Sequence, residues 1–241
     1  MKYFLKILRG TGTGESRWQR FSVEDSGGSS VAHALDTLNA RPVLRDCSGA
    51  AAEPVAWDCA CLEKKCGACA MRISAHPALA CAVSLDTAAD AEGEITLEPL
   101  RKFPRIRDLR VDRSGMFDAL RDMELWLETH ADLAGDRQRE MHYRAASCLM
   151  CGLCLEVCPN FDTGSRFVGA MGALASFRAL DLSGPGAHRE TMRRQYLRRF
   201  FNTCAKSLSC QEICPMKIPV EQLLVRTNAA AVWHRGGGKK Q

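Results

Sequence analysis

Cys148-Leu-Met-Cys151-Gly-Leu-Cys154-Leu-Glu-Val-Cys158-Pro159 sets four thiols at the spacing C-x2-C-x2-C-x3-C-P. Soft ligands packed this densely have no rationale as core residues. Thiolates at this spacing wrap three corners of an iron–sulfur cubane, and the fourth, ahead of the proline, ligates a neighbouring cluster where two clusters share one domain. The stretch therefore predicts a helical, ligand-bearing domain and a second motif elsewhere in the chain.

That second motif lies downstream. Cys204-Ala-Lys206-Ser207-Leu-Ser-Cys210-Gln-Glu-Ile-Cys214-Pro215 repeats the first with serine in its second ligand position. Exchanging the fourth ligands gives Cys148, Cys151, Cys154 and Cys214 as a [4Fe-4S] set, and Cys158, Cys204 and Cys210 as the other. Three thiolates leave one cubane corner without a soft ligand, and serine oxygen is harder and less readily deprotonated. The second set is therefore expected to hold [3Fe-4S].

Upstream, Cys61-Leu-Glu-Lys-Lys-Cys66-Gly-Ala-Cys69, followed by Cys81, has the C-x4-C-x2-C and distant-Cys spacing of a plant-type [2Fe-2S] site. Gly67 and Ala68 suit a loop whose backbone N–H groups must turn towards sulfur. Cys47 and Cys59 fall outside this spacing and are expected to be small buried hydrophobes. His76 is expected to be an ordinary loop residue, because a Rieske-type centre needs two histidines on one iron.

Around these motifs the chain reads as two regions. Residues 2–8 and 17–24 form a hairpin about the glycine-rich turn 10–14. A helix capped by Ser29 or Ser30 follows, with Val31, Leu35 and Leu38 on one face until Arg41-Pro42 ends it, and residues 94–100 form a closing strand. This is an α+β pattern with its boundary near residue 105: a [2Fe-2S] domain over 1–105 and a helical domain over 106–241. In the second region a helix capped by Ser114 is expected to run to about His130, with Phe117, Leu120, Trp126 and Leu127 apolar and Trp126 in the core. Further helices are expected over residues 166–180 and 187–201, the last carrying five arginines and turning Met192, Tyr196 and Phe200 inward. Residues 236–241 read as a tail.

Composition agrees with this reading. The chain has 241 residues, 46% of them hydrophobic, with 13 cysteines and a formal net charge of +5. Such length is wrong for a disulfide scaffold, and Lys2 and Lys6 interrupt the apolar start, so thiols in a reducing compartment and no signal peptide are expected. Runs of about twenty apolar residues, as a membrane span needs, are missing from the sequence. A nucleic-acid role for the arginine helix would leave three different clusters unexplained, so nucleic acid is not an expected partner.

Taken together, the three cysteine groups, Glu98-Pro-Leu, Phe103-Pro104, Ile106-Arg-Asp-Leu109 and Phe167-Val-Gly resemble the iron–sulfur subunit of succinate dehydrogenase/fumarate reductase over almost the whole chain. The resemblance implies a plant-type ferredoxin-like β-grasp domain followed by an all-α bacterial-ferredoxin-like domain. It also implies an electron-transfer subunit with no catalytic residues for carbon chemistry. The implied partners are an FAD-bearing subunit that interconverts succinate and fumarate, and membrane-anchor subunits, some haem-bearing, with quinone bound at their interface. Such a chain sits peripherally on the cytoplasmic side of the cell membrane. Phe161, Lys206 and Lys217 are the candidates to border a quinone pocket. Quinone-reactive relatives carry a Trp and a Lys where this chain reads Asn160-Phe161-Asp162 and Met216-Lys217, which points to menaquinone rather than ubiquinone. The same three-cluster module would also suit a flavoprotein reductase for another unsaturated carboxylate, or a non-quinone partner.

Overall fold

Period-two alternation buries Tyr3, Leu5 and Ile7 along the first strand, β1 (Lys2–Arg9), and Phe21 and Val23 along its antiparallel partner β2 (Arg17–Glu24). The computed structural model describes residues 1–129 and 135–233. Its contacts sort the chain into two compact units, Met1–Arg113 with Cys151–Glu156, and Ser114–Met150 with Val157–Gln241.

In the first unit, α1 (Val31–Asn39) starts where the Ser30 hydroxyl accepts the His33 N–H, and it buries Val31, Leu35 and Leu38. After a long irregular loop come β3 (Ala70–Ile73), β4 (His76–Leu79), the short helix α2 (Leu85–Ala88) and β5 (Glu94–Glu98). The sheet order is β2-β1-β5-β3-β4, with β1 and β5 parallel and the other neighbours antiparallel. Ile95 and Leu97 complete the inward face of β5, which ends at Glu98 because Pro99 offers no N–H to a ladder. The arginine-rich stretch beyond it folds into a small antiparallel pair, β6 (Arg105–Arg107) and β7 (Arg110–Val111), turning at Asp108 with φ of +48°.

The second unit is helical: α3 (Ser114–Asp122), α4 (Asp136–Ala146), and, beyond the α5 segment (Leu153–Glu156) that belongs to the first unit, α6 (Gly169–Leu182), α7 (Ala187–Tyr196), α8 (Ser209–Glu212) and α9 (Val220–Asn228). Ten of the 14 residues of α6 are buried, since α3, α4, α7 and α9 all pack on it. Met192, Tyr196 and Phe200 point inward as the periodicity requires, and Tyr196 donates a 2.6 Å hydrogen bond to Asn228.

The helix after Ser114 is shorter than expected. It stops at Asp122, Glu124 is left-handed with φ of +56°, and His130 lies outside the described residues, as do residues 236–241. Its buried residue is Met116, joined by Met123 just past its end, whereas Phe117 is 58% and Trp126 50% exposed. The expected core role of Trp126 is therefore corrected: its indole stacks on His188 at 5.1 Å, at the surface. Methionine is flexible enough to fill an irregular core gap, and here Met116 and Met123 do so in place of Phe117, Trp126 and Leu127, all of them exposed.

Candidate iron–sulfur centres

The loop from residue 57 to 69 has little regular structure, because its backbone is bent around sulfur atoms. Leu62, Lys64 and Gly67 are left-handed, with φ of 56°, 61° and 73°. These reversals aim N–H groups inward: Glu63 and Lys65 donate to Cys61 Sγ at 3.3 Å, Lys64 to Cys81 Sγ at 3.3 Å, and Ala68 to Cys66 Sγ at 3.4 Å. Cys69 and Cys81 lie sulfur to sulfur at 3.4 Å. The N–H groups of Glu63 and Lys65 lower the Cys61 thiol to about 7, whereas burial pushes Cys69 up to about 12. Donors aimed at sulfur favour thiolates, the form that binds iron. All four candidate thiols thus share one pocket lined with N–H groups, a donor set that suits [2Fe-2S].

Cys47 and Cys59 are exposed, not buried as expected. Cys47 follows Asp46, whose carboxylate accepts the N–H groups of Ser48 and Ala50 and folds a surface turn, and Cys59 stands on the irregular loop ahead of the ligand-bearing stretch. His76 opens β4 and is exposed.

The two later motifs share one backbone pattern from the first cysteine to the proline; past it they part, Lys217 being left-handed, with φ of 51°, where Phe161 is not. Met150 and Lys206 are left-handed, with φ of 52° and 58°, and so are Gly152 and Leu208, with φ of 86° and 59°. One-turn helices follow, α5 and α8, in which Leu155 and Gln211 donate to the carbonyls of Gly152 and Leu208. Past the prolines, Phe161 N donates to Cys158 O at 3.3 Å and Lys217 N to Cys214 O at 3.1 Å. Ser207, exposed, stands in the repeat where Cys151 does, and the Ser209 hydroxyl donates to its oxygen at 3.4 Å.

Within the second unit, burial pushes the Cys210 thiol up to about 11, and Cys158 and Cys204 are near enough to add to the shift. Burial likewise raises Cys148, opposed by the Met150 N–H and reinforced by Cys214. Cys151 and Cys154 lie on the segment counted with the first unit, Cys151 buried and Cys154 half-buried. Among the described residues, no three His, Cys, Asp or Glu side chains converge on a single-ion site. A polynuclear cluster needs wider spacing, since irons and sulfides lie between its protein ligands.

Of the three candidate quinone-border residues, Lys206 lines a cavity of about 230 Å³ with Phe200, Phe201, Cys204, Leu208 and Leu224. Phe161 and Lys217 do not line it; Lys217 is exposed, and its carbonyl accepts a 2.7 Å hydrogen bond from Arg144. Nor are the arginines of the α7 region a uniform surface patch. Arg189 donates to the carbonyls of Leu180 and Ser183, Arg193 to Glu190 and the Ala231 carbonyl, and Arg199 to the carbonyls of Arg166 and Ala119, which leaves Arg194 and Arg198 as the exposed members.

Sequence reasoning passed over two residues in the first unit. Arg113 donates to the carbonyls of Gly67, Ala68 and Cys151, and Glu156 accepts from Arg72 and from the N–H groups of Arg101 and Lys102. The one available signal was a carboxylate in the otherwise apolar turn Leu153-Cys-Leu-Glu156; Arg113 gave none.

Comparison with known proteins agrees with this arrangement. Residues 4–118 match the family described as 2Fe-2S iron-sulfur cluster binding domain, and residues 144–218 the 4Fe-4S dicluster domain. The succinate dehydrogenase iron-sulfur subunit of Bacillus subtilis is 32% identical over 219 residues, covering 87% of this chain and 84% of that protein. The fumarate reductase iron-sulfur subunit of Mycobacterium tuberculosis is 32% identical over 180 residues, covering 70% and 71%. A chain in the apo structure of the Mycobacterium smegmatis Sdh1 complex shares the fold, with a TM-score of 0.75, 21% identity and 99% and 98% coverage. With a mixed-sheet [2Fe-2S] ferredoxin domain preceding a helical [4Fe-4S] ferredoxin-like domain, the chain belongs to the family of iron–sulfur electron-transfer subunits of succinate dehydrogenase and fumarate reductase.

Proposed function

We propose that this chain carries electrons through three clusters between an FAD-bearing succinate- or fumarate-active subunit and membrane quinone, menaquinone being the expected one. Cys61, Cys66, Cys69 and Cys81 would hold [2Fe-2S]; Cys148, Cys151, Cys154 and Cys214 would hold [4Fe-4S]; Cys158, Cys204 and Cys210 would hold [3Fe-4S]. Each cluster, when bound, supplies a centre that accepts and releases one electron. The observation that carries the third assignment is the repeat itself: Ser207 stands in the ligand position of Cys151, on a backbone of the same shape.

The chain's own residues fix ligand geometry and tune the centres. N–H groups from residues 63, 64, 65 and 68 point at sulfur in the first loop, and hydrogen bonds to sulfur are among the determinants of cluster potential. Among the described residues no helix is long and apolar enough to cross a membrane, so quinone contact would be made through anchor subunits on the cytoplasmic side. The Lys206 cavity, beside Cys204, is the part of this chain best suited to face that quinone.

Purification of the native complex tests the reading. A flavin-bearing subunit and hydrophobic anchor subunits are expected by mass spectrometry, succinate oxidation or fumarate reduction coupled to a menaquinone analogue by assay, and a [3Fe-4S] paramagnetic signal in the oxidised sample. A chain that purifies with all its clusters and without any flavoprotein overturns it. A flavoprotein acting on a different unsaturated carboxylate would favour the second reading, in which the module is the same and the substrate differs.

A further inference from the structure

Arg113 closes the first unit of the chain before α3 begins, and its side chain is 16% exposed. Its Nη1 donates to the Gly67 carbonyl at 2.9 Å and to the Cys151 carbonyl at 3.2 Å, while its Nη2 donates to the Ala68 carbonyl at 2.9 Å. Gly67 and Ala68 lie between Cys66 and Cys69, and Cys151 belongs to the first cubane motif. One planar cation therefore bonds backbone from two ligand-bearing loops at once, a task for which a guanidinium fork is suited and an ammonium is not.

The segment that Arg113 grips is held at its other end too. Glu156, whose side chain is 2% exposed, pairs with Arg72 at 3.3 Å and accepts the N–H groups of Arg101 and Lys102 at 3.0 Å each. Arg72 in turn stands three residues after Cys69. Between the two grips, Gly152 has φ of +86°, and a Cβ there would lie 2.9 Å from the Phe103 ring, so the segment is closely applied along its length. A half-buried arginine and a buried carboxylate are costly unless bonded; here both find partners across the junction of two loops.

We propose that Arg113 is a positioning residue for electron passage between the [2Fe-2S] and [4Fe-4S] centres. This rests on the cluster assignment above. Arg113 fixes the spacing of the two loops and supplies a continuous route from Gly67 and Ala68 through the guanidinium to Cys151. In the step that Arg113 would serve, the two centres, when bound, would exchange one electron, one being oxidised and the other reduced by one unit, with no bond or proton changed. The positive charge beside both loops, offset in part by the Asp58 carboxylate 3.8 Å from Nη2, would also favour the reduced, more negative forms of the centres they hold.

The test uses the intact purified complex with Arg113→Gln and Arg113→Lys, poised chemically and read by electron paramagnetic resonance. In Arg113→Gln the reduced-to-oxidised ratio of the [2Fe-2S] centre at fixed poise is expected to fall three- to tenfold. The relaxation enhancement between the two reduced centres should weaken, and transfer between them should slow at least tenfold. Arg113→Lys keeps the charge, so its ratio should stay within twofold of wild type while enhancement and transfer still fall; this variant decides the matter where the glutamine form loses iron. Wild-type enhancement and transfer in an iron-replete Arg113→Lys complex overturn the role of Arg113 alone. Absence of [2Fe-2S] or [4Fe-4S] signals from the wild-type complex overturns the cluster assignment, and this proposal with it.

Discussion

Replacing Ser207 with cysteine is expected to convert the centre proposed at Cys158, Cys204 and Cys210 from three irons to four. The backbone requires no rearrangement to accept the change. Residues 204–210 already repeat the left-handed positions of residues 148–154, and α8 repeats α5, so a thiol at 207 takes up the place that Cys151 holds in the first motif. Ser207 is exposed and neighbours the Ser209 hydroxyl, so no buried contact is lost in the exchange. The oxidised complex should lose its [3Fe-4S] signal and gain one iron per chain by metal analysis. Cys158→Ala should act on the same centre from the other side, abolishing the [3Fe-4S] signal before the [4Fe-4S] one is affected. If the [4Fe-4S] signal disappears first, the exchange of fourth ligands between the motifs is wrong.

The second large effect is on stability. Asp108, with its side chain 4% exposed, lies 3.0 Å from Arg9 Nε and accepts the N–H groups of Gly10 at 3.0 Å and Ala56 at 2.9 Å. Arg9 occupies the fourth inward position of β1, where alternation carries a cation into the core and obliges the fold to supply an anion. Asp108→Ala strands that cation and two N–H groups, which should cost about 3–5 kcal/mol of unfolding free energy. Burial pushes the Asp108 carboxyl up, but the N–H of Ala56, the Arg9 guanidinium and the N–H of Gly10 outweigh it, so the pKa lies below the usual carboxylate value. A carboxylate depressed on folding contributes stability above its unfolded pKa, about 3.9, and loses it as pH falls further. Urea unfolding should therefore show a constant gap between wild type and Asp108→Ala from pH 7 to about 4.5 and a shrinking one below about 4.

The parts legible in the sequence were those encoded over short distances. The hairpin, α1 with its Ser30 cap, and the inward Met192, Tyr196 and Phe200 follow from periods of 2 and 3.6, and the cysteine motifs from ligand spacing. The length and face of α3 were not legible, because Glu124 breaks the helix by a backbone reversal that carries no composition signal. Arg113 was invisible for a different reason. Its hydrogen-bond partners stand 38 to 46 residues away and are carbonyl oxygens, which any residue type provides, and the Asp58 carboxylate, 3.8 Å off, is farther still along the chain. The bonding of the arginines over residues 187–201 was equally hidden, since three of them are bonded to carbonyls of their own unit.

The left-handed residues have a bearing on how the protein comes into being. Leu62, Lys64, Met150, Lys206 and Leu208 all carry side chains at positive φ, a conformation that disfavours L-residues by roughly 1–2 kcal/mol each. A glycine at each position would relieve that cost and would let the empty loops adopt the same shape unaided. With these five residues in place, the empty loops bear that cost alone, and the energy of cluster insertion would offset it and become energy of folding. Cluster insertion and closure of the ligand loops would then be a single coupled event, whose cost is written in the backbone.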